Sequence, residues 1–472
     1  MEDEKAVIQT LLDEKKAETS DQVLEKFGNK NLWLLWIMCS MGFVWSITAL
    51  PAMISAFLQD QPCNRNATNC TGNSFSAELG SKSQMTDVAT SIFLLGNMVG
   101  ASTISRLSDL KGRRPTLIAS LFGVGVFGMC AAFSPNIYVF MILRFFQGVF
   151  LPGCGITNWV LAYESAPRDL RSYAALIFGL LWVFGYCITA ACAYLVTQWR
   201  HLLIVISTPP LVFGAIYYFT IPESFHFLVL RGREDQLRRW IRQANKFAKT
   251  KVPEDTAEAL IASHHKVINK DEKKPGLFRE LFKQKKLVMY TAIVAYLWTC
   301  DSFIYFGLTL ISTSLAGDSY VNFILSGLVE IPSYFVSPYA LEKLGRRGFA
   351  AATHFLTMCS FVGVIFIDDE TVSLCLWLIG KFGISCAYTG MYVLGSEIFP
   401  TVLRSGCIGI CVLLERIGGV FAPQVRSMSL IEPHLPNIFF AASSGLASAL
   451  TLFLPETRGK ELPDVATEVV EE

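Results

Sequence analysis

The stretch YLWTCDSFIYFG, residues 296–307, places Trp298, Asp301 and Tyr305 at i, i+3 and i+7, so a helix would carry all three on one face. A carboxylate beside two aromatic rings attracts an organic cation by charge and by cation–π contact. The same residues also fit a plainer role, in which Asp301 neutralises Lys381 or Arg416 and the rings only pack. Few other ionisable residues share such apolar surroundings: Arg144, Glu330, Lys381, and the neighbours Glu415 and Arg416. Each is costly in hydrocarbon unless it faces a partner or a wet cavity. Glu330, in GLVEIPSYF, either pairs with a neighbour or shapes a bend at Pro332. Arg144 and Gln147 can satisfy backbone carbonyls or a partner acid as readily as they touch a ligand. Trp159 is a further aromatic candidate for the same lining.

A second set of charges sits at segment ends. SDLKGRRP, residues 108–115, closes an apolar stretch, and 233 residues after DLKGRR at 109 comes EKLGRR at 342. The same offset carries ESAPRDLRS at 164 onto EIFPTVLRS at 397, and PES at 222 onto PET at 455. Matches at one offset, with acid, Pro, Gly and Arg in register, mark an internal duplication. The preference for basic residues in cytoplasmic loops explains Arg113, Arg114, Arg346 and Arg347 but not the paired acids Asp109 and Glu342. With Glu164 and Arg171 in one half and Glu397 and Arg404 in the other, acids and arginines ring one face. Charge-assisted pairs between the halves are expected to latch that face.

These residues need elements long enough to cross a bilayer. The 472 residues are 52% hydrophobic and only 17% charged, with a formal net charge of +1. That leaves too little polar surface for a soluble globule and removes the electrostatic footprint of a nucleic-acid binder. Apolar runs of spanning length occur near 32–57, 86–107, 115–133, 137–162, 173–196 and 202–221, then near 287–310, 319–341, 348–367, 371–395, 405–426 and 437–454. The expected fold is an all-α polytopic membrane protein with twelve transmembrane helices in two six-helix halves. Its parts are a polar segment 1–31, a first half 32–224 with an extracellular loop at about 58–85, a central loop 225–286, a second half 287–455 and a tail 456–472. The central loop holds sixteen Lys and Arg, so it and both termini are expected in the cytoplasm. Residues 1–31 lack the apolar core and cleavage site of a signal peptide, and the first apolar stretch is expected to act as the insertion signal. In PCNRNATNC the sequons at Asn66 and Asn69 read as extracellular glycosylation sites, with Cys63 and Cys70 as a disulfide candidate.

Catalysis is not expected. The sequence has no GxxxxGK[ST] phosphate loop, no HExxH and no GxSxG, its six histidines are scattered, and no Cys/His cluster has metal spacing. No cofactor or metal is anticipated.

SRLSDLKGRRP, LRFFQG and the PES/PET pair resemble signatures of the major facilitator superfamily. More narrowly, WRHLLIVISTPP, IPESFHFLV, LWTCDSFIYFGLTL, YVNFILSGLVEIPSYF, GKFGISCAY, EIFPTVLRSGCIGI and RIGGVFAP, in that order, resemble the organic cation, carnitine and organic anion transporters of solute carrier family 22. The resemblance implies a plasma-membrane carrier in which two halves rock around a central site. It implies a small organic ion as substrate, cations or zwitterions such as carnitine first, with organic anions or a non-transporting sensor or scaffold as alternatives. A monomeric transport unit and a coupling ion go with it. Trp298, Asp301, Tyr305 and Glu330 match cation-handling members, Arg416 falls where anion and carnitine members have arginine, and Tyr334 is similar to the carnitine type. Departures are Ser105 and Leu110 in the first motif, Phe225-His226 after PES, a short first extracellular loop, and a fifth segment without a Gly-Pro pair.

Overall fold

The computed structural model describes residues 19–58, 75–80, 84–248, 251–268, 281, 284–400 and 403–459. Asn66, Asn69, Cys63 and Cys70 lie outside the described residues. A short helix α1 (Ser20–Phe27) precedes the first long one, α2 (Leu32–Met53). Then come α3 (Gln84–Lys111), α4 (Arg113–Ala132), α5 (Ile137–Glu164), α6 (Arg168–Leu195) and α7 (Trp199–Thr220). The central stretch is itself helical, as α8 (Phe225–Leu230), α9 (Glu234–Asn245) and α10 (Thr256–Ile268). The second series comprises α11 (Lys285–Ile311), α12 (Ser319–Leu328), α13 (Glu330–Leu344), α14 (Arg346–Phe366), α15 (Glu370–Ile398), α16 (Arg404–Phe421), α17 (Gln424–Ser429) and α18 (Leu435–Thr451).

Helix starts follow local capping chemistry. The side chains of Asn31, Asn136, Asp318 and Asp369 accept from backbone N–H groups of Trp33, Val139, Tyr320 and Val372, satisfying donors that the first helical turn leaves free. Among the described residues ten helices are long and apolar enough to cross a membrane. The other two expected spans differ for visible reasons. The eighth is broken at Val329: Pro332 has no N–H to give the Leu328 carbonyl, so the ladder stops and restarts with Glu330 at the head of α13. The twelfth, α18, is a 17-residue helix, just short of that length.

Small residues let helices meet backbone to backbone. A Cβ at Gly96 or Gly100 would lie 2.1 or 2.0 Å from the carbonyl oxygens of Phe145 and Val149, which ties α3 to α5. One buried cluster joins α1 and the α8–α10 stretch to the first six long helices, α2 to α7, through Phe27, Phe225 and Trp240. Another is built from α11 and α14–α18. Large apolar side chains such as Leu195, Phe219, Phe366 and Phe453 remain exposed on the outside, a surface suited to lipid.

The two series touch mainly away from the Gly-Arg-Arg turns. Ser427 donates to Asp87 (2.8 Å), Gln424 to Ser91 (3.1 Å) and Thr313 to the Ala56 carbonyl (3.2 Å). Phe57 stacks on Tyr320, and Tyr186 stacks on Phe323.

Candidate functional site

At the seam, α6 of the first series meets α11 and α13 of the second, and α15 packs against both of these. Lys381 and Glu330 form an ion pair (Nζ to Oε1, 3.2 Å), with both side chains buried. The lysine also donates to Thr309 Oγ1 (3.0 Å) and stands 3.4 Å from the centre of the Tyr305 ring. Tyr334 OH donates to the other Glu330 oxygen (3.4 Å), and its ring occupies the space that a side chain at Gly179 of α6 would need. Trp182 of α6 donates its indole N–H to Tyr305 OH (2.9 Å), which binds the two series directly. Desolvating two opposite charges is repaid only where geometry and extra hydrogen bonds are good, and the Thr309, Tyr305 and Tyr334 contacts supply these.

An aromatic lining extends from this pair in both directions. In the first series Trp45 lies 5.7 Å from Trp182 and 6.3 Å from Trp159, and Trp159 stacks on Tyr163. In the second, Tyr305, Tyr388 and Tyr392 follow one another at 5.9 and 6.0 Å, and Tyr392 meets Trp298 at 5.5 Å. Tyr388 OH donates to Glu415, whose neighbour is Arg416. Trp298 Nε1, Glu415 Oε2 and Arg416 Nε are buried and lack a hydrogen-bond partner among the described residues. Buried polar atoms ordinarily find one. The arrangement offers both signs of charge beside rings that can cover an organic ion.

Of the residues expected in the binding face, Tyr305, Glu330 and Lys381 come together. Trp298 and Arg416 flank the far end of the tyrosine row, and Trp159 sits in the opposing wall. Asp301 does not join them. Its Oδ1 is 2.9 Å from His354 Nε2 on α14, both residues are fully buried, and neither Lys381 nor Arg416 is its partner. The i, i+3, i+7 pattern fixes one arc of the helix, but two neighbours, α14 and α15, share that arc. Sequence reasoning passed over His354, Trp45, Trp182, Tyr388 and Tyr392. A histidine inside a spanning segment was the one signal available for the first. Arg144 is held within its own series by Pro51 O, Gln147 and Ser55 (3.3, 2.7 and 2.7 Å) under the Phe93 ring.

Around the Gly-Arg-Arg turns the pairing differs from the expectation: Arg113 and Arg346 each take an acid of their own half. Arg113 makes a two-pronged contact with Glu164 (3.1 and 3.0 Å) and reaches Asp109 at 3.1 Å. Arg346 does the same with Glu397 (2.9 and 3.0 Å), while Glu342 is exposed. A second acid completes each clasp. Glu223 accepts from the backbone N–H of Arg113 and Arg114 (2.9 and 3.0 Å), and Glu456 from those of Arg346 and Arg347 (2.8 and 3.2 Å). These carboxylates cap the first turns of α4 and α14, where free N–H groups and the helix dipole favour negative charge. Gly112 (φ 118°) and Gly345 (φ 79°) make the turn, and a Cβ on either would strike the capping carboxylate. The fork of each arginine is thus occupied inside its half, leaving it unavailable for a pair across the seam. Arg171 instead binds Asp21 of α1 (2.7 Å), and Arg404 donates to the Phe399 carbonyl (3.2 Å). Arg114 and Arg347 bond the carbonyls of Tyr218 and Leu454.

A family model described as sugar (and other) transporter matches residues 22–468. A putative transporter of Caenorhabditis elegans is 34% identical over 95% of this chain and 91% of its own length. The organic cation transporter protein of Drosophila melanogaster is 32% identical over 81% of this chain and 71% of its own. Organic anion transporter 3 of Rattus norvegicus is 30% identical over 82% and 73%. Among solved structures, a partially occluded inward-open form of the xylose transporter XylE from E. coli superposes with a TM-score of 0.66 at 17% identity, covering 91% of this chain and 99% of that one.

Proposed function

This chain belongs to the sugar (and other) transporter family within the major facilitator superfamily, and from that premise we propose that it carries small organic ions, zwitterions such as carnitine foremost, across the plasma membrane by alternating access. The observation that carries the reading is the Glu330–Lys381 pair at the seam, covered by Tyr305 and Tyr334. A lone cation or anion that opened the pair would strand one buried charge. A zwitterion replaces both partners at once, ammonium to Glu330 and carboxylate to Lys381, and leaves neither unpaired. Relatives named as organic cation and organic anion transporters support a site that tolerates both signs. Arg416, with its unpartnered Nε beside the tyrosine row, supports organic anions as the second reading.

On this reading the basic face, with both termini, is cytoplasmic, and the contacts around Asp87, Ala56 and Phe57 join the two series on the opposite, extracellular side. The clasps act as rigid hinges of each half, with Asp109, Arg113, Glu164, Arg346 and Glu397 holding helix ends together while the halves rock. The transport unit is one chain, and its driving force is a gradient rather than ATP.

Uptake of labelled carnitine, tetraethylammonium and p-aminohippurate in cells expressing the chain tests the reading, with Glu330→Gln and Lys381→Met compared at equal surface level. Carnitine is expected to enter fastest and to fall at least about tenfold in both variants, as loss of a buried charged contact requires. Tetraethylammonium uptake that exceeds carnitine uptake and survives Lys381→Met would overturn the zwitterion preference. If none of the three enters, organic ion transport itself is rejected.

A further inference from the structure

The Asp301–His354 pair lies outside the seam. Among the described residues it is paired with no other charged side chain, and both partners are buried to zero exposure. Its geometry fixes a proton count. His354 Nδ1 stands 2.7 Å from the Ala350 carbonyl, which can only accept, so Nδ1 carries a hydrogen. His354 Nε2 stands 2.9 Å from Asp301 Oδ1. That second contact is attractive only if another proton lies on it, carried by the imidazole or by the carboxyl group. Either way the pair is neutral with the proton and bears a charge of −1 without it. Without it, a carboxylate lone pair would face an imidazole lone pair in an enclosed site, and among the described residues Asp301 Oδ2 has no hydrogen-bond partner to absorb the charge.

We propose that Asp301 and His354 form a proton-binding site whose occupancy decides whether α11 is tied to α14 through this bond and so couples proton binding to transport. The proposal rests on the transport reading only for its last clause. Asp301 and Tyr305 are one turn apart on α11, and Tyr305 touches both Lys381 and Trp182. A shift of α11 on losing the proton therefore moves the ring that covers the ion pair and contacts the other half.

The surroundings leave the proton to this pair. On α11 itself the neighbouring titratable group is the Cys300 thiol, and from α15 it is the Tyr392 phenol, groups that are ordinarily neutral near pH 7. Lys381 of α15 is taken by Glu330 of α13. On α16, Glu415 and Arg416 are adjacent opposite charges engaged with the tyrosine row. Helix α18 contains no ionisable residue, and Lys285, Lys286, Arg346 and Arg347 stand at the far ends of α11 and α14. Protonation or deprotonation here is a simple transfer to or from solvent, with no other bond made or broken.

The test has two arms on the full-length chain reconstituted in lipid. Infrared difference spectra between pH 8 and pH 5 need no substrate: the parent should show a reversible carboxyl or imidazole band set that both Asp301→Asn and His354→Gln abolish. In the second arm, the initial rate of labelled carnitine or tetraethylammonium uptake is measured at pH 6 and pH 7.5. The parent rate should change by about threefold or more, and His354→Gln should flatten the change below about 1.5-fold, since one proton site permits up to tenfold per pH unit. His354→Gln with the parent's bands and the parent's pH dependence overturns the site. Bands that respond as expected without uptake of either probe keep the proton site and reject the transport reading. If a single variant fails to fold, the double variant Asp301→Asn/His354→Gln, which keeps a neutral hydrogen bond, is read in its place. A parent without the band change overturns the proposal whatever the variants do.

Discussion

The two halves of the chain agree closely on one face and diverge in the middle of the membrane. On the basic face, positions 233 residues apart hold the same chemistry: Gly112 and Gly345 turn the chain, Arg113 and Arg346 grip Glu164 and Glu397, and Glu223 and Glu456 cap the next helix. In mid-membrane the same offset sets Leu121 against His354, Gly148 against Lys381, Asn97 against Glu330, and Trp182 against Glu415. Arg144 is matched by Trp377 in the opposite sense, and it is consumed by structural contacts. Both halves keep what holds helix ends together. The second half has gathered the ionisable groups, and the first supplies the aromatic wall and the tight backbone contacts against which they work.

The largest effect that would test this division is at one pair of equivalent positions. Lys381→Met should strand Glu330 in a buried site and cost about 3–5 kcal/mol, read as a lowered melting temperature in detergent. The double variant Glu330→Gln/Lys381→Met should recover most of that stability while uptake stays lost. At the matching position, Gly148→Ala should also destabilise, for another reason: its Cβ would lie 2.0 Å from the Phe93 carbonyl and force α3 and α5 apart. A double variant no more stable than Lys381→Met would show that the lysine, too, is mainly packing.

Spans and duplication were legible because they are carried by runs and by repeated punctuation. Twelve apolar stretches, a glycine before each arginine pair and an acid at each PES or PET are local facts, and the helices follow them within a few residues. Partner choice was not local. Asp301 lies on the face that the spacing gives, yet nothing in residues 296–307 says that α14 brings a histidine to it. The arginine clasps illustrate the same limit: Glu164 is 51 residues from Arg113 and Glu397 is 51 residues from Arg346, so each acid lies within reach of its own half once three helices pack. The aromatic lining was mostly missed because Trp45, Trp182, Tyr388 and Tyr392 come from three helices and form no motif in the sequence.

A smaller effect separates the two clasps. The Arg113 side chain is 8% exposed and serves two acids, whereas that of Arg346 is 22% exposed and, among the described residues, pairs with Glu397 alone. Arg113→Ala is expected to cost about 2 kcal/mol and Arg346→Ala about 1 kcal/mol, the scale of charge-assisted hydrogen bonds in partly and more openly covered sites. Equal losses in melting temperature would show that exposure does not grade them. Across the seam, Trp182→Phe removes one hydrogen bond to Tyr305 and should raise KM for a transported ion by up to about tenfold, with kcat less affected.

The smallest effect concerns the two capping acids, which differ in sign. Burial pushes the Glu223 carboxyl up, against the lowering by the N–H groups of Arg114, Ser224 and Arg113. For Glu456 burial also raises, but the N–H groups of Arg346, Arg458, Gly348 and Arg347 outweigh it and hold the carboxyl below its ordinary range. Folding therefore binds a proton more tightly at Glu223 and less tightly at Glu456. Glu223 contributes its full stability below the unfolded value and loses it as pH rises through the raised folded one. The contribution of Glu456 is present above the unfolded value and is lost as pH falls through the lowered folded one. Acidification through the glutamate range should thus loosen the start of α14 while tightening that of α4. Amide hydrogen exchange at residues 346–350 and 113–117, corrected for intrinsic rates, measures this directly between pH 6 and pH 4. Glu456→Gln should abolish the response at α14 and leave the one at α4, because the two caps are separate sites, one in each half; parallel loosening of both helix starts would mean that the duplicated clasps titrate alike and that their unequal burial is without consequence.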